Sequence, residues 1–262
     1  MHLSQFTVFV LAAASAANAV PITASELMAR GGPANVLAPG EMLLVNGDKL
    51  EIHNETTKLE FLKAQGILLE APEIDYAWLN FTPPDLPPKT DKLSARDCAF
   101  TTAVVVDSTT TFLDWDVQMG RVVKGAGEGI NAYVGAGWSV ANSVSGSAGL
   151  DIGIVKNYLG LNFGVDYSRT WTTTNSDQYS TLVKAGKAGV WVTQPWTTRK
   201  YGRTLQGCPG SFRQVGTWMA DAHEDGSYGN SKWVSGFITA CIKPAPTGEQ
   251  RMTRCHGQGA FK

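Results

Sequence analysis

Asp114-Trp115-Asp116 sets two carboxylates two positions apart in a stretch of strand-forming composition, and so on one face of a strand. A glycosidase needs two carboxyls about 5 to 9 Å apart across a groove, and alternate strand positions meet the lower end of that range trivially. A secreted glycoside hydrolase built on Asp114 and Asp116 is therefore the catalytic alternative rather than the main reading. After His2 the histidines are His53, His223 and His256. His223 lies in Asp221-Ala222-His223-Glu224-Asp225-Gly226, which reads as a solvated acidic turn better than as a metal or acid–base site. Gly137-Trp138-Ser139-Val140-Ala141 matches a nucleophile elbow at three positions, but it lacks the closing glycine and the helix that must follow. Gly125-Ala126-Gly127-Glu128-Gly129 lacks the strand–loop–helix setting of a phosphate cradle and reads as a turn. No catalytic set, metal set or cofactor motif emerges, so the chain reads as non-enzymatic, with no cofactor. A net charge of −1 without a basic cluster argues against nucleic acid as a partner.

Binding and cross-linking chemistry is better represented. Seven of the 8 tryptophans fall after residue 96, more than the core of one domain needs. Core packing is the default for each; exposed ones could stack on sugar rings or sit at a bilayer interface. Trp191, Trp196, Arg199, Lys200 and Tyr201 form the candidate surface-binding patch, because Pro195 interrupts a strand and can turn side chains outward. Cys98, Cys208, Cys241 and Cys255 are an even set with no zinc spacing and no Cys-x-x-Cys, so two disulfides are expected. Three pairings are possible and the sequence does not choose among them; Cys98 with Cys208 and Cys241 with Cys255 is the preferred one. Asn54-Glu55-Thr56 and Asn80-Phe81-Thr82 are N-glycosylation sequons, making Asn54 and Asn80 candidate glycan sites.

The elements that must position these residues announce themselves by period. From Ile130 to Ile154 apolar and small polar residues alternate over twenty-five positions, the signature of β-structure with one greasy face. The register breaks at Lys156-Asn157, after which Leu159, Leu161, Phe163, Val165 and Tyr167 carry the apolar face. Such a switch predicts a hairpin turn. The arms predict a candidate membrane hairpin over 132–167, with Val134, Trp138, Val140, Val144, Leu150, Ile152, Leu161 and Phe163 on its apolar side. Further strands are expected at 100–106, 110–119, 170–174, 178–184, 189–193, 199–205, 212–219 and 231–242, with no helical periodicity after residue 97. The fold class is all-β: an antiparallel β-sandwich with long twisted strands, preceded by a small mixed N-terminal segment.

The chain divides into three. Residues 1–19 read as a secretory signal peptide, with a short apolar core and Ala17-Asn18-Ala19 as a small-x-small cleavage site. Residues 20–96 hold 8 of the 12 prolines and no cysteine, and carry 7 Lys+Arg against 11 Asp+Glu. They read either as an acidic pro-segment cut after Arg96, with Leu27-Met28-Ala29-Arg30 a similar site, or as an N-terminal extension that stays attached. Within them Asn46-Gly47 predicts a hairpin turn, and 58–65 a short helix. Residues 97–262 are the disulfide-bonded β domain. The expected location is secreted and extracellular.

The run from Gly135 to Gly207 resembles the membrane-inserting module of aerolysin-type β-pore-forming proteins. The resemblance rests on the alternating 132–167 stretch, on Ser168-Arg-Thr-Trp-Thr-Thr-Thr-Asn175 and on Val183-Lys-Ala-Gly-Lys-Ala-Gly-Val-Trp191-Val. It implies long Ser/Thr-rich strands, insertion of a hairpin, and an oligomer only if a pore forms, since lipid tolerates only closed barrels. No receptor-binding lectin repeat accompanies it. The whole chain also resembles small secreted cysteine-paired proteins of filamentous fungi, which implies an effector-like, virulence-related role outside the cell. The expectation is a secreted effector or toxin-like protein whose partner is a host or target-cell surface, membrane or glycan. A carbohydrate- or cell-wall-binding module using exposed tryptophan is the alternative.

Overall fold

The structure is a computed structural model that describes residues 22–23, 35–37, 40–84, 101–174, 176–208, 210–228, 231–248 and 250–262. The expected signal peptide, both candidate processing sites and Cys98 lie outside these residues. The N-terminal part supplies β1 (Ile22–Thr23), β2 (Asn35–Val36), β3 (Met42–Asn46), β4 (Lys49–His53), α1 (Glu55–Ala64) and α2 (Tyr76–Leu79). There follow β5 (Thr101–Leu113), β6 (Val117–Gln118), β7 (Val123–Lys124), β8 (Ile130–Val134), β9 (Ser139–Ala141), β10 (Ser143–Gly146) and α3 (Ile152–Phe163). The chain ends with β11 (Thr170–Thr172), β12 (Ser176–Val183), β13 (Lys187–Gly207), β14 (Arg213–Ala222), β15 (Asp225–Tyr228), β16 (Ser231–Val234) and β17 (Gly236–Pro244). Strands outweigh helices 49% to 13%, and the large sheet is antiparallel, so the expected fold class holds.

β13 organises the molecule. The expected breaks near Thr193 and Arg199 do not occur; 21 residues run as one strand. Its first half pairs with β17 on one edge and with β6 and β7 on the other. Its second half pairs with β14 and β5. Pro195, which has no N–H to donate, is accommodated opposite Gly236, while its carbonyl accepts from the Asp114 amide at 2.8 Å. Close approach explains Gly202 as well: a Cβ there would lie 2.2 Å from the ring of Trp218, its cross-strand partner.

Both faces of β13 are covered. Trp191 and Ile238 of the large sheet meet Val134, Val140, Trp171 and Tyr179 of the smaller sheets in the main core, the sandwich contact. Val190 and Val192 face the opposite way, against Met252 and Phe261 of the C-terminal tail. The N-terminal segment is built into the large sheet: β3 pairs with β17, and Leu43, Leu44 and Val45 are buried. The Asn46-Gly47 hairpin forms as expected, with Gly47 at φ 59°. Asn54 caps α1, accepting from the Thr57 amide at 3.0 Å.

The second arm of the 132–167 hairpin is not a strand. Residues 152–163 form the helix α3, and Lys156-Asn157 lies inside it instead of at a turn. The same apolar residues satisfy two periods. Val155 and Leu159 fall four apart and bury against Trp218, Ala220 and Ala222 of β14, with Tyr158 partly buried beside them. The ends decide between the two: Asp151 accepts from the Gly153 amide at 2.8 Å, and Gly164 takes the left-handed C-cap conformation at φ 67°. No described helix is long and apolar enough to cross a membrane.

Candidate functional site

The lobe spanning 130–173 is held to the body by two short ladders and closed on itself by a third. β8 pairs with β12, β9 with β11, and β10 with β14. These ladders distribute the eight apolar candidates unequally. Val134 and Val140 are buried in the main core, and Trp138, Val144, Leu150 and Ile152 are half-buried. Leu161 stands 88% exposed and Phe163 45% exposed, two positions apart in the last turn of α3 and so on different sides of it. Lys156 is the one charged residue of that helix. The Phe163 ring covers the Lys200 ammonium at 4.4 Å, and this burial lowers the pKa of Lys200. Leu161 is the most exposed large apolar side chain among the described residues.

The patch expected around Pro195 does not form a surface. Trp191 and Trp196 are buried, and the Trp191 indole donates to the Ala132 carbonyl at 2.9 Å. Arg199 is buried in a two-pronged ion pair with Asp221, Nε to Oδ1 at 2.7 Å and Nη2 to Oδ2 at 2.8 Å. Burial opposes its charge, and the Asp221 carboxylate overrides that effect, leaving its pKa raised. Lys200 is buried as described and Tyr201 half-buried. The physical reason is pairing on both edges: a strand laddered on either side, with both faces covered, cannot turn side chains outward at a proline. Trp115 is the one tryptophan that is exposed, and Arg254 lies 5.8 Å over its ring.

The carboxylate pair separates into two networks. Asp116 is 1% exposed; its Oδ1 accepts from the Gln194 side chain at 2.8 Å, and its Oδ2 from the amides of Cys255 and His256, both at 2.7 Å. The other end of Gln194 accepts from the buried Lys58 ammonium at 2.8 Å, so one glutamine links α1 to the C-terminal loop. Desolvation lowers the pKa of Lys58, with Glu55 and Asp116 opposing it. Asp114 instead accepts from Thr197 Oγ1 at 3.1 Å, and that hydroxyl lies 3.0 Å from His223 Nε2. His223 Nδ1 faces Asn142 Oδ1 at 3.2 Å, and its backbone amide donates to the same oxygen at 2.7 Å. Burial lowers the pKa of His223, with Asp114 and Asp221 pulling the other way. Sequence reasoning placed His223 in a solvated turn; the structure puts it, half-buried, in this hydrogen-bonded chain, which no spacing signals. Thr197 is fully buried, so its hydroxyl is not presented to solvent.

Cys241 and Cys255 form a disulfide, as preferred from sequence. Asp116 lies against those two sulfurs, but sulfur held in a disulfide offers no thiolate to a metal. Cys208 is also disulfide-bonded, and its expected partner Cys98 lies outside the described residues. Asn54 and Asn80 are both exposed, at the start of α1 and the end of α2. Family models, curated proteins and solved structures give no match to the chain.

Proposed function

We propose that this is a secreted, disulfide-stapled, non-enzymatic β protein that acts outside the cell at a target membrane surface, as an effector or toxin-like protein. The observation that carries the reading is the α3 tip, where Leu161 is 88% exposed. Burying the Leu161 side chain in the acyl boundary yields roughly 1.5 to 3 kcal/mol, and a basic residue near anionic lipid adds about 1 kcal/mol. Lys156 supplies that charge. The sum describes weak, reversible adsorption, stronger on anionic vesicles. A membrane-spanning barrel would require α3 to unwind, whereas surface contact uses the helix as it stands. The glycan-binding alternative retains one exposed indole, Trp115, too little for a stacking platform. The test is sedimentation with vesicles of mixed phosphatidylcholine and phosphatidylserine. The wild-type protein is expected in the pellet and Leu161→Asp in the supernatant; wild-type protein that stays in the supernatant overturns the reading.

A further inference from the structure

Cations that are scattered along the sequence are gathered by the fold at one end of the large sheet. Residues 117–129, 183–188 and 243–262 together carry 8 Lys+Arg and 2 Asp+Glu, in a chain whose net charge is −1. The register of β13 brings these segments together. Ala188 pairs with Lys124 of β7 on one side and with Lys243 of β17 on the other. Direct partners share a face, so the two lysines flank Ala188 two strand spacings apart, about 9.5 Å. The turn before β13 closes the end: the Gly125 amide donates to the Lys187 carbonyl and the Ala245 amide to the Gly186 carbonyl, both at 2.9 Å. A Cβ at Gly125 would lie 2.0 Å from the Lys184 carbonyl oxygen, so β7 runs hard against that turn. Val122 and Ala245 pack with Ala188 and Met252 in one apolar cluster, which sets their chain neighbours Arg121 and Arg251 at its rim.

These charges are not neutralised. Arg121, Lys124, Lys184, Lys187 and Arg251 are exposed, and none of them forms an ion pair among the described residues. Arg199 and Arg203, by contrast, are paired with Asp221 and Asp107. Lys243 donates to the Thr253 hydroxyl at 3.1 Å and to the Arg254 carbonyl, and Arg254 Nη1 donates to the Gln258 carbonyl at 2.6 Å. Neutral oxygens thus orient both cations and leave their charge in place. Of the two acidic residues in these segments, Glu128 is exposed in the turn after β7 and Glu249 lies outside the described residues. Asp116 is nearby but 1% exposed, and it already accepts from Gln194 and two main-chain amides. Like charges gathered this way repel one another, and a polyanion that bridges them relieves the repulsion.

We propose that this end of the sheet binds a sulfated linear polysaccharide. Sulfate esters stay ionised across the physiological pH range, and arginine meets such an oxyanion with a planar fork of donors. The cations wrap the sheet end, since Lys187 alternates with Ala188 and so faces away from Lys124 and Lys243. A flat membrane meets one side of such a ridge, whereas a flexible polymer follows it round. Trp115, 38% exposed with Arg254 5.8 Å over its ring, offers one stacking face to a sugar at the rim. Single-stranded nucleic acid would call for a row of such rings. Ala188 and Gly202, whose partner Trp218 packs under α3, are roughly 45 Å apart along β13. The surface is therefore separate from the α3 tip and goes beyond the membrane reading.

The experiment titrates the full chain into a fluorescein-labelled heparin octasaccharide and follows anisotropy. Wild-type protein is expected to bind at about 50 mM NaCl and to weaken about ten-fold or more by about 200 mM, as counterion release loses its drive. Combining Lys124→Glu, Lys187→Glu and Arg251→Glu is expected to weaken binding about ten-fold or more at the lower salt. The same change in net charge made at Lys49, Lys63 and Lys232, exposed elsewhere on the body, is expected to leave affinity within about two-fold, because distant charges are screened. Leu161→Asp is expected to bind the octasaccharide as wild type does. If the reversed variant fails to fold by near-ultraviolet circular dichroism, Lys124→Gln, Lys187→Gln and Arg251→Gln together give the same readout. Absence of binding by wild type at the lower salt overturns the proposal, as does equal weakening by the control set or equal binding of a desulfated octasaccharide. Tighter binding of a DNA oligonucleotide, single-stranded or duplex, would assign the surface to nucleic acid and equally overturn it.

Discussion

His223 shows how burial turns an ordinary side chain into a pH-dependent one. Its folded pKa is lowered by desolvation, so below the unfolded value of 6.5 the unfolded chain binds the proton first. Stability is therefore full above about pH 6.5 and falls as the pH drops from there toward the depressed folded value. Thermal melts at pH 7.5 and pH 5 should diverge in the wild type and converge in His223→Gln; equal divergence in both would remove His223 as the cause. Asp116 acts differently, as a fixed acceptor. Asp116→Asn removes charge-assisted bonds to the Cys255 and His256 amides, a loss of about 2 to 3 kcal/mol. Denaturant titration checks this. Neither role is written in the sequence. Asp114 and Asp116 look like a pair there, and only the bend of the chain between β5 and β6 sends one to Thr197 and the other to Gln194.

At the scale of elements, α3 and β13 are where period and punctuation competed. Ile152, Ile154, Leu159, Leu161 and Phe163 fit a strand alternation, while Val155 and Leu159 fit a helix stripe. The residues that decide were legible: Asp151 as an N-cap and Gly164 as a C-terminal stop. In β13 the proline read as a break, because which neighbour edge lies opposite Pro195 cannot be known from one chain segment. The β3–β4 hairpin was fully legible because its turn chemistry is local. Two mutations test the packing. Gly202→Ala must force both Trp218 and the Val105 carbonyl aside, each 2.2 Å from the new methyl, at a cost of about 3 kcal/mol or more. Val155→Ala empties a fully buried site under α3, at a cost of about 1 to 3 kcal/mol. Chemical denaturation should show Gly202→Ala as the larger loss; a neutral Gly202→Ala would contradict the Gly202–Trp218 contact.

For the whole molecule, the N-terminal and C-terminal parts share one core and one set of buried polar bonds, from Lys58 through Gln194 to Asp116. The Cys241–Cys255 bridge closes a loop of sequence separation 14 beside that network. Replacing both cysteines with serine should cost about 3 kcal/mol, lowering Tm by on the order of 10 °C; calorimetry of the double variant checks it. On this stapled body Leu161 of α3 is the most exposed large apolar side chain among the described residues, and the proposed function has it contact lipid. A fluorophore sensitive to polarity, attached at Leu161→Cys and separately at Ser108→Cys, reads that contact directly. On adding anionic vesicles, emission from position 161 should shift to the blue and brighten while position 108 stays unchanged. An unchanged spectrum at 161, or the same shift at both positions, would contradict a membrane contact made by α3.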